Sequence, residues 1–174
     1  MTNTTWNRAA LGMGPWRTWL TDHGSLTQRL RGHFPDFNVR QLRQVIAQPF
    51  FDEAAEVGLL PRQPVLVREV LLRSGATPLV FAHTIIPLTG LRGPWQSLSG
   101  LGNRSLGGTL FANPRVERFP LAYKRLDRHH PLYRAAAPHL ADSQARLWAR
   151  RSHFALAGHV LMVTEVFLPP VLRK

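Results

Sequence analysis

Two charged residues lie in apolar, strand-like segments, where an isolated charge is unusual. Arg68 stands in VLVREVLL and Glu165 stands in VLMVTEVFL. Because side chains alternate between the two faces of a strand, Arg68 shares a face with Leu66 and Val70. Glu165 has apolar neighbours whichever face it joins. Burying an unpaired charge costs several kcal/mol, so each of these two side chains requires a counter-charge or a ligand.

The two charges allow two interpretations. In the first, Arg68 and Glu165 pair with each other across the sheet as a structural ion pair. In the second, both line an interior polar pocket, where Arg68 binds a ligand carboxylate through two hydrogen bonds and Glu165 faces another polar group of the same ligand. The pattern of residues alone leaves both interpretations open.

Two predicted helix starts would add main-chain donors to such a pocket. Ser25 in SLTQ is placed to cap a helix that begins at Leu26, and Ser105 in RSLGG is placed to cap a helix that begins at Leu106. Amides in the first turn of a helix lack an acceptor within that helix and can bind an anion. Most capped helices bind nothing, so each start is informative only in combination with the two charges.

Other chemistries have little support in the sequence. His83 lies among apolar residues and is either a general base or a core histidine with a hydrogen-bond partner. The remaining histidines show no metal-ligand spacing, and there is no P-loop, nucleophile elbow or dinucleotide-binding fingerprint. The chain has no cysteine, which excludes disulfides and thiolate metal sites. We therefore predict no metal ion and no organic cofactor.

The charge composition favours anionic partners without choosing among them. The formal net charge is +12, and only Lys124 and Lys174 among the 22 basic residues are lysines. Arginine suits planar recognition of carboxylates and phosphates, so nucleic acid, acidic lipid and small dianions all fit. The Arg150-Arg151 pair beside Trp148 is interpreted as a contact to nucleic acid, as a solvated face or as local ion pairs.

No targeting or membrane-spanning segment is apparent. The N-terminus has no basic region followed by an apolar run, and the most apolar stretch, residues 154–172, is interrupted by polar residues and prolines. We therefore expect a cytoplasmic protein with no membrane span.

The elements that would position these groups follow from periodicity and turn residues. The length of 174 residues predicts one domain over residues 1–174, with residues 1–15 flexible. A helix is predicted over residues 16–22, ended by Gly24 in a left-handed conformation. The fold class is α+β, an antiparallel sheet with helices packed on one side. Its five or six strands are predicted over residues 38–50, 65–73, 78–87, 115–126, 145–156 and 160–168. Residues 74–77 (SGAT) and 157–159 (AGH) are predicted as the turns of two antiparallel hairpins.

Several motifs together resemble those of the chorismate pyruvate-lyase family. The last hairpin, LWARRSHFALAGHVLMVTEVFLP, is similar in its LWxRRS opening and its TE-apolar-FLP ending. Further similar segments are VLVREVLL, PLVFAHTIIP, RSLGGTLF and, less closely, WRTWLTDHGSLTQRL. The resemblance covers nearly the whole chain from Trp16. It implies cofactor-independent conversion of chorismate into 4-hydroxybenzoate and pyruvate, the first committed step towards ubiquinone, by a monomer.

The resemblance also implies roles for individual residues. Arg68 and the main chain at Leu26 and Leu106 would bind the ring carboxylate, and Glu165 would face the ring hydroxyl as the catalytic residue. Helical flaps near Gly24 and Leu106 would close over a buried ligand pocket. Whether Glu165 takes a proton or only orients the substrate stays open.

Two positions fall outside the resemblance. His83 stands where the family pattern has an arginine, so it receives no role. The second carboxylate of chorismate requires another cation, for which Arg104 and Arg118 are candidates without motif support.

Two other function classes remain. Effector-binding domains of some bacterial transcription regulators share the expected fold, and such a protein would sense a small aromatic acid without turnover. That reading would require an added DNA-binding domain, and only about 35 residues precede the first predicted strand. Direct nucleic-acid binding would instead show steep salt dependence, which a lyase does not require. The expected partners are therefore chorismate and 4-hydroxybenzoate, and not nucleic acid.

Overall fold

The protein is built on one open antiparallel sheet, seen in a computed structural model that describes residues 5–173. Over those residues the sheet has seven strands. They are β1 (Phe37–Ala47), β2 (Val65–Ser74), β3 (Thr77–Pro87), β4 (Glu117–Arg118), β5 (Ala122–Asp127), β6 (Arg146–Leu156) and β7 (His159–Phe167). The spatial order is β1-β2-β3-β7-β6, and both β4 and β5 pair with β6. The predicted α+β class with an antiparallel sheet is confirmed.

Two tight hairpins set the register of the central strands. Ser74 pairs with Thr77, and Gly75 between them has a φ of 56°. The second hairpin turns at Ala157 and Gly158, whose φ values are 48° and 78°. Positive φ at both central residues matches the right-handed twist of the two flanking strands. Both hairpins were predicted from these turn residues.

The outer edge of β6 accounts for the larger number of strands. The predicted strand over residues 115–126 consists of β4 and β5, separated by a break that contains Pro120. Proline has no backbone N–H to donate and therefore interrupts the ladder of hydrogen bonds. Both halves pair with β6, which raises the number of strands from the predicted five or six to seven.

Five short α-helices connect or cover the strands. They are α1 (Arg17–Leu20), α2 (Leu26–His33), α3 (Leu88–Leu91), α4 (Leu106–Ala112) and α5 (Pro131–Ala136). Short 3₁₀ helices add Gly14–Trp16, Ala55–Val57, Gln96–Gly100, Ala137–His139 and Pro169–Leu172. The predicted helix end at Gly24 is wrong: α1 ends at Leu20, and Gly24 does not have positive φ. The Gly24 amide instead donates to Asp22 Oδ1 at 2.8 Å, which closes the turn without a left-handed residue.

The sheet has two buried faces, which we call the front face and the back face. The front face carries Arg68 and Glu165, and α2 and α4 pack on it. The back face carries His83, and α5 and the Ala55–Val57 turn pack on it. The prediction placed the helices on one side only. Strands β2 and β3 are apolar on both faces, so both faces require a cover.

The N-terminal segment passes from the back face to the front face along β5. On the back face the Trp6 indole donates to Asp52 Oδ2 at 3.0 Å, and Asn7 then pairs with Tyr123 of β5. Met13 is buried in the core of the front face. Of the residues expected to be flexible, 1–4 lie outside the described part of the chain. Within residues 5–173, no helix is long and apolar enough to cross a membrane.

Candidate functional site

Two neighbouring rows of paired residues on the front face carry the candidate groups. One row is formed by Arg68, Thr84, Val163 and Ser152, and the next by Val70, Ala82, Glu165 and Arg150. Arg68 on β2 and Glu165 on β7 are two strands apart, a separation of roughly 10 Å across the sheet. Their side chains therefore approach one space from opposite sides.

A cavity fills that space between the sheet and the helices α2 and α4. Its empty space, taken together with the open solvent at its mouth, is about 540 Å³. The four predicted site residues, Leu26, Arg68, Leu106 and Glu165, all line it. The other lining residues are Thr27, Val39, Val70, Leu72, Ala82, Thr84, Ser105, Gly107, Leu110, Phe111, Arg118, Arg150, Ser152, Phe154 and Val163. Most of the wall is therefore apolar, with a few polar groups at defined places.

Arg68 is a buried cation without a carboxylate partner among the described residues. Its side chain is 2% exposed, and its Nη2 donates to the carbonyls of Gly102 and Arg104, each at 2.9 Å. Its Nε is buried and has no hydrogen-bond partner. Burial lowers the pKa of Arg68 to about 10, so the side chain stays charged at neutral pH. The interpretation of Arg68 and Glu165 as a structural ion pair is wrong.

The partner of Glu165 is Arg150, for which the sequence left a nucleic-acid contact, a solvated face and a local ion pair open. The local ion pair is confirmed and the solvated face is wrong, because Arg150 is 1% exposed and its Nε donates to Glu165 Oε2. The hairpin register sets Arg150 directly opposite Glu165. The predicted turn at residues 157–159 contained this information, since a two-residue turn there fixes every pair of the hairpin.

The starts of α2 and α4 meet over the cavity. Ser25 Oγ accepts from the Gln28 amide at 3.4 Å, as the capping sequence predicted, and Ser105 Oγ accepts from the Gly108 amide at 3.1 Å. A hydrogen bond of 2.8 Å joins Thr27 Oγ1 to Ser105 Oγ. Each helix is thus capped by its own serine, and the two caps are linked to each other.

The two arginines considered for a second carboxylate lie in different places. Arg118 lines the cavity, donates to the carbonyls of His23 and Gly24, and stacks on Phe111 and Phe154 with its guanidinium carbon 5.1 and 5.5 Å from the ring centres. Burial and the charge of Arg150 lower the pKa of Arg118.

Arg104 is not part of the cavity wall. It donates instead to the carbonyls of Gly100 and Leu101 in its own loop, at 3.0 and 3.4 Å.

The charges of the cavity wall are unbalanced. Three guanidinium groups, those of Arg68, Arg118 and Arg150, face one carboxylate, that of Glu165. The excess of two positive charges suits a ligand with two negative charges and an apolar centre. Over the described residues, no cluster of His, Cys, Asp or Glu could hold a metal ion.

His83 lies on the back face and not in the cavity wall. Its Nδ1 is 3.0 Å from Glu69 Oε1, its Nε2 is 3.3 Å from Glu53 Oε1, and its ring stacks on Phe50. Burial alone would lower the pKa of His83, but Glu53 and Glu69 outweigh it and raise the pKa to about 9. The cationic ring is therefore a paired core histidine and not a general base at the candidate site.

Comparisons with known proteins agree with the geometry. The sequence model of the family described as chorismate lyase matches residues 1–174. The chain is 47% identical over 156 residues to a protein from Thiobacillus denitrificans named probable chorismate pyruvate-lyase, covering 90% of this chain and 83% of that protein. It is 44% identical over 168 residues to a protein of the same name from Methylobacillus flagellatus, covering 97% and 94%.

The solved structures relate the fold to a different class of protein. A GntR-family transcriptional regulator from Bacillus cereus superposes with a TM-score of 0.55 at 14% identity, covering 77% of this chain and 92% of that one. At that identity the likeness shows the fold alone.

Proposed function

Because the chain belongs to the chorismate lyase family, we propose that it is a chorismate pyruvate-lyase, which converts chorismate into 4-hydroxybenzoate and pyruvate. The observation that carries the proposal is Arg68, a buried guanidinium that faces a partly enclosed cavity and has only main-chain acceptors. A ligand carboxylate would supply the missing counter-charge. Chorismate carries two carboxylates, one on its ring and one on the enolpyruvyl arm, which matches the excess charge of the wall.

The proposed binding mode assigns one end of the ring to each side of the cavity. Arg68 binds the ring carboxylate, together with the main-chain amides of Leu26 and Leu106, whose positions in the first helical turns leave them free of intrahelical acceptors. Glu165 accepts a hydrogen bond from the ring hydroxyl at the opposite end. Its partner Arg150 fixes the orientation of the carboxylate.

The reaction breaks two bonds of the substrate. The C4–H bond and the C3–O bond of the enolpyruvyl ether are lost, and the ring becomes aromatic, which supplies most of the driving force. The proton of C4 passes either to Glu165, with the released enolpyruvate taking up another proton, or directly to the methylene carbon of the departing arm. In both routes the protein holds the reacting groups in place and keeps water away.

A turnover assay tests the proposed function. Purified protein is mixed with chorismate, 4-hydroxybenzoate is followed by absorbance, and pyruvate is measured through a coupled dehydrogenase. We expect the two products to appear in equal amounts. Binding of chorismate or 4-hydroxybenzoate without turnover would instead support an effector-binding domain of the same fold.

Isotope labelling separates the two proton routes. The reaction is run in D₂O and pyruvate is trapped at once as lactate, so that its methyl group cannot exchange. Transfer from C4 to the methylene carbon leaves the methyl group free of deuterium, whereas transfer through Glu165 introduces one deuterium. Release of deuterium from chorismate labelled at C4 provides the complementary measurement.

We also propose that the protein acts as a cytoplasmic monomer, does not bind nucleic acid and supplies 4-hydroxybenzoate for ubiquinone synthesis. Light scattering during gel filtration tests the monomer. An unchanged elution profile with added DNA fragments at low salt tests the absence of nucleic-acid binding.

A further inference from the structure

Arg150 makes more contacts than a simple partner of Glu165 would require. Its Nη1 donates to three main-chain carbonyls at the C-terminal end of α1, those of Trp19, Leu20 and Asp22, at 3.2, 3.4 and 2.7 Å. Its Nε is taken by Glu165. Its Nη2 is buried and has no hydrogen-bond partner. One donor group of a nearly inaccessible arginine in the cavity wall is thus left without an acceptor.

The position of Arg150 next to Glu165 identifies the ligand group that would accept a hydrogen bond from Nη2. In the proposed function Glu165 faces the hydroxyl on C4 of the ring, and C3, the adjacent carbon, carries the enolpyruvyl arm with the second carboxylate. A cation bonded directly to Glu165 therefore lies beside that arm. Arg68, two strands away at the other end of the ring, does not.

Arg118, the other cation of the wall, is more exposed than Arg150 and also has a buried donor without a partner, its Nε, but its guanidinium is already held by other contacts. It bridges the carbonyls of His23 and Gly24, and its flat face covers Phe111 and Phe154. Moving it onto a ligand carboxylate would break these contacts. Arg150 would keep all of its present contacts, because only the unused Nη2 is required.

We propose that Arg150 binds the carboxylate of the enolpyruvyl arm through Nη2 and so selects dianionic over monoanionic ring acids. This inference rests on the proposed function and names the second anion subsite of the same cavity. Arg150 then has two tasks, since one edge of its guanidinium orients Glu165 and another holds the arm that leaves.

Two stable ligands that differ only in the arm provide the test. The dianion is 3-(carboxymethoxy)-4-hydroxybenzoate, and the monoanion is 3-ethoxy-4-hydroxybenzoate, which has an arm of equal length without the carboxylate. Dissociation constants are measured by calorimetry for the wild type, Arg150→Gln and Arg118→Gln. We expect Arg150→Gln to weaken binding of the dianion at least about 30-fold and binding of the monoanion less than about fivefold.

A second background keeps the test valid if Arg150→Gln alone unfolds. Removing Arg150 leaves the Glu165 carboxylate unpaired, so the same pair of ligands is compared in Glu165→Gln and in the double variant Glu165→Gln/Arg150→Gln, where no charge is orphaned. Circular dichroism verifies folding. We expect the same selective loss of dianion binding in this background.

Three results would overturn the inference or separate it from the proposed function. Equal losses for both ligands would mean that Arg150 acts only through Glu165. A selective loss in Arg118→Gln, with none in Arg150→Gln, would move the subsite to the opening. Wild-type protein that converts chorismate but does not prefer the dianion refutes the subsite alone, whereas wild-type protein without turnover refutes the proposed function.

Discussion

The front and back faces of the sheet bury charged residues at adjacent positions of the same strands. The two faces differ in whether each buried charge has a partner of opposite charge within the protein. On β6, Arg150 points to the front and Arg151 to the back. Arg151 is held by Asp52 Oδ2 at 3.2 Å and by Thr164 Oγ1 at 3.3 Å, and His83 lies between two carboxylates. On the front, Arg68 has main-chain acceptors only.

This difference separates a structural network from a binding site within one fold. Burial raises the pKa of Asp52, but the nearby His130, the charge of Arg151 and the hydrogen bond from Trp6 outweigh it and hold that pKa far below its usual range, so the back-face acid stays ionised. The two most buried cations there, Arg151 and His83, each have a carboxylate within 4 Å, and Lys124, whose Nζ has no hydrogen-bond partner, is attracted by the charge of Asp52. On the front the counter-charge is missing, and a ligand can supply it. A buried charge thus indicates function only when its partners have been counted.

Substituting the matched glutamates of the two faces should give the largest contrast. Glu165→Gln should lower kcat at least about 100-fold, because it removes the negative charge that orients the ring hydroxyl and that, in one of the two routes, takes the C4 proton. Glu69→Gln should leave kcat near the wild-type value and instead lower the free energy of unfolding by about 1 to 3 kcal/mol, because His83 loses a counter-charge. Absorbance of 4-hydroxybenzoate and urea denaturation measure the two effects. A Glu165→Gln enzyme within tenfold of wild type would contradict the catalytic role.

Removing the back-face arginine should cost mainly stability. Arg151→Met leaves Asp52 unpaired in the core and should lower the free energy of unfolding by about 3 to 5 kcal/mol. Affinity of the folded protein for 4-hydroxybenzoate should change little, since Arg151 does not line the cavity. Urea denaturation measures the stability, and calorimetry measures the affinity for 4-hydroxybenzoate. A variant that keeps its stability but loses affinity would reverse the assignment of the two faces.

The same substitution on the front should cost mainly affinity. Arg68→Met should weaken binding of 4-hydroxybenzoate by about 2 to 4 kcal/mol, because the ring carboxylate loses a buried charged partner. Unfolding without ligand should change by less than about 1 kcal/mol, since the loss of two main-chain hydrogen bonds is offset by removal of an unpaired buried charge. Unchanged affinity in a folded variant would rule out Arg68 as the carboxylate-binding group.

The back-face histidine should make stability depend on pH. The folded-state pKa of His83 is raised to about 9, above the usual 6.5, so its contribution is fully present below pH 6.5 and is lost as pH rises towards 9. The loss amounts to roughly 2 to 3 kcal/mol over that window. Urea denaturation between pH 6 and 9 should show a flatter profile for His83→Gln than for wild type. Parallel profiles would show that the ring is not charged in the folded protein.

The smallest effect concerns the contact between α2 and α4. Thr27→Val removes the hydrogen bond to Ser105 while keeping the shape of the side chain. We expect 4-hydroxybenzoate to dissociate about fivefold faster, equivalent to about 1 kcal/mol. Thr109→Val, on the exposed side of α4, is the matched control and should leave the rate unchanged. Stopped-flow fluorescence measures both rates.

The sequence predicted those parts of the fold and the cavity wall that depend on local patterns. Turn residues gave both hairpins, serine caps gave the starts of α2 and α4, and alternation placed Arg68 and Glu165 on apolar faces. The residues that were missed depend on contacts between distant segments. Asp52 and Glu53 reach the back face from a loop without periodicity, so their pairing with Arg151 and His83 had no local signal.

Arg150 was missed for another reason. Charged residues on strands usually face solvent, and that general expectation outweighed the register of the hairpin. The break at Pro120 was also visible in the sequence, but alternation continues on both sides of it and suggested one continuous strand.

That break has a consequence for how the molecule behaves at high concentration. A long, regular edge strand has unpaired main-chain N–H and C=O groups, with which a strand of a neighbouring molecule can pair. Pro120 divides the edge beside β6 into two short strands, β4 and β5. Both are too short and irregular to pair with a strand of another molecule. The edge strand at the opposite end of the sheet, β1, is long, but its register is irregular between Gln41 and Arg43. It also exposes Arg40 and Arg43, whose positive charges repel the same strand of a second molecule.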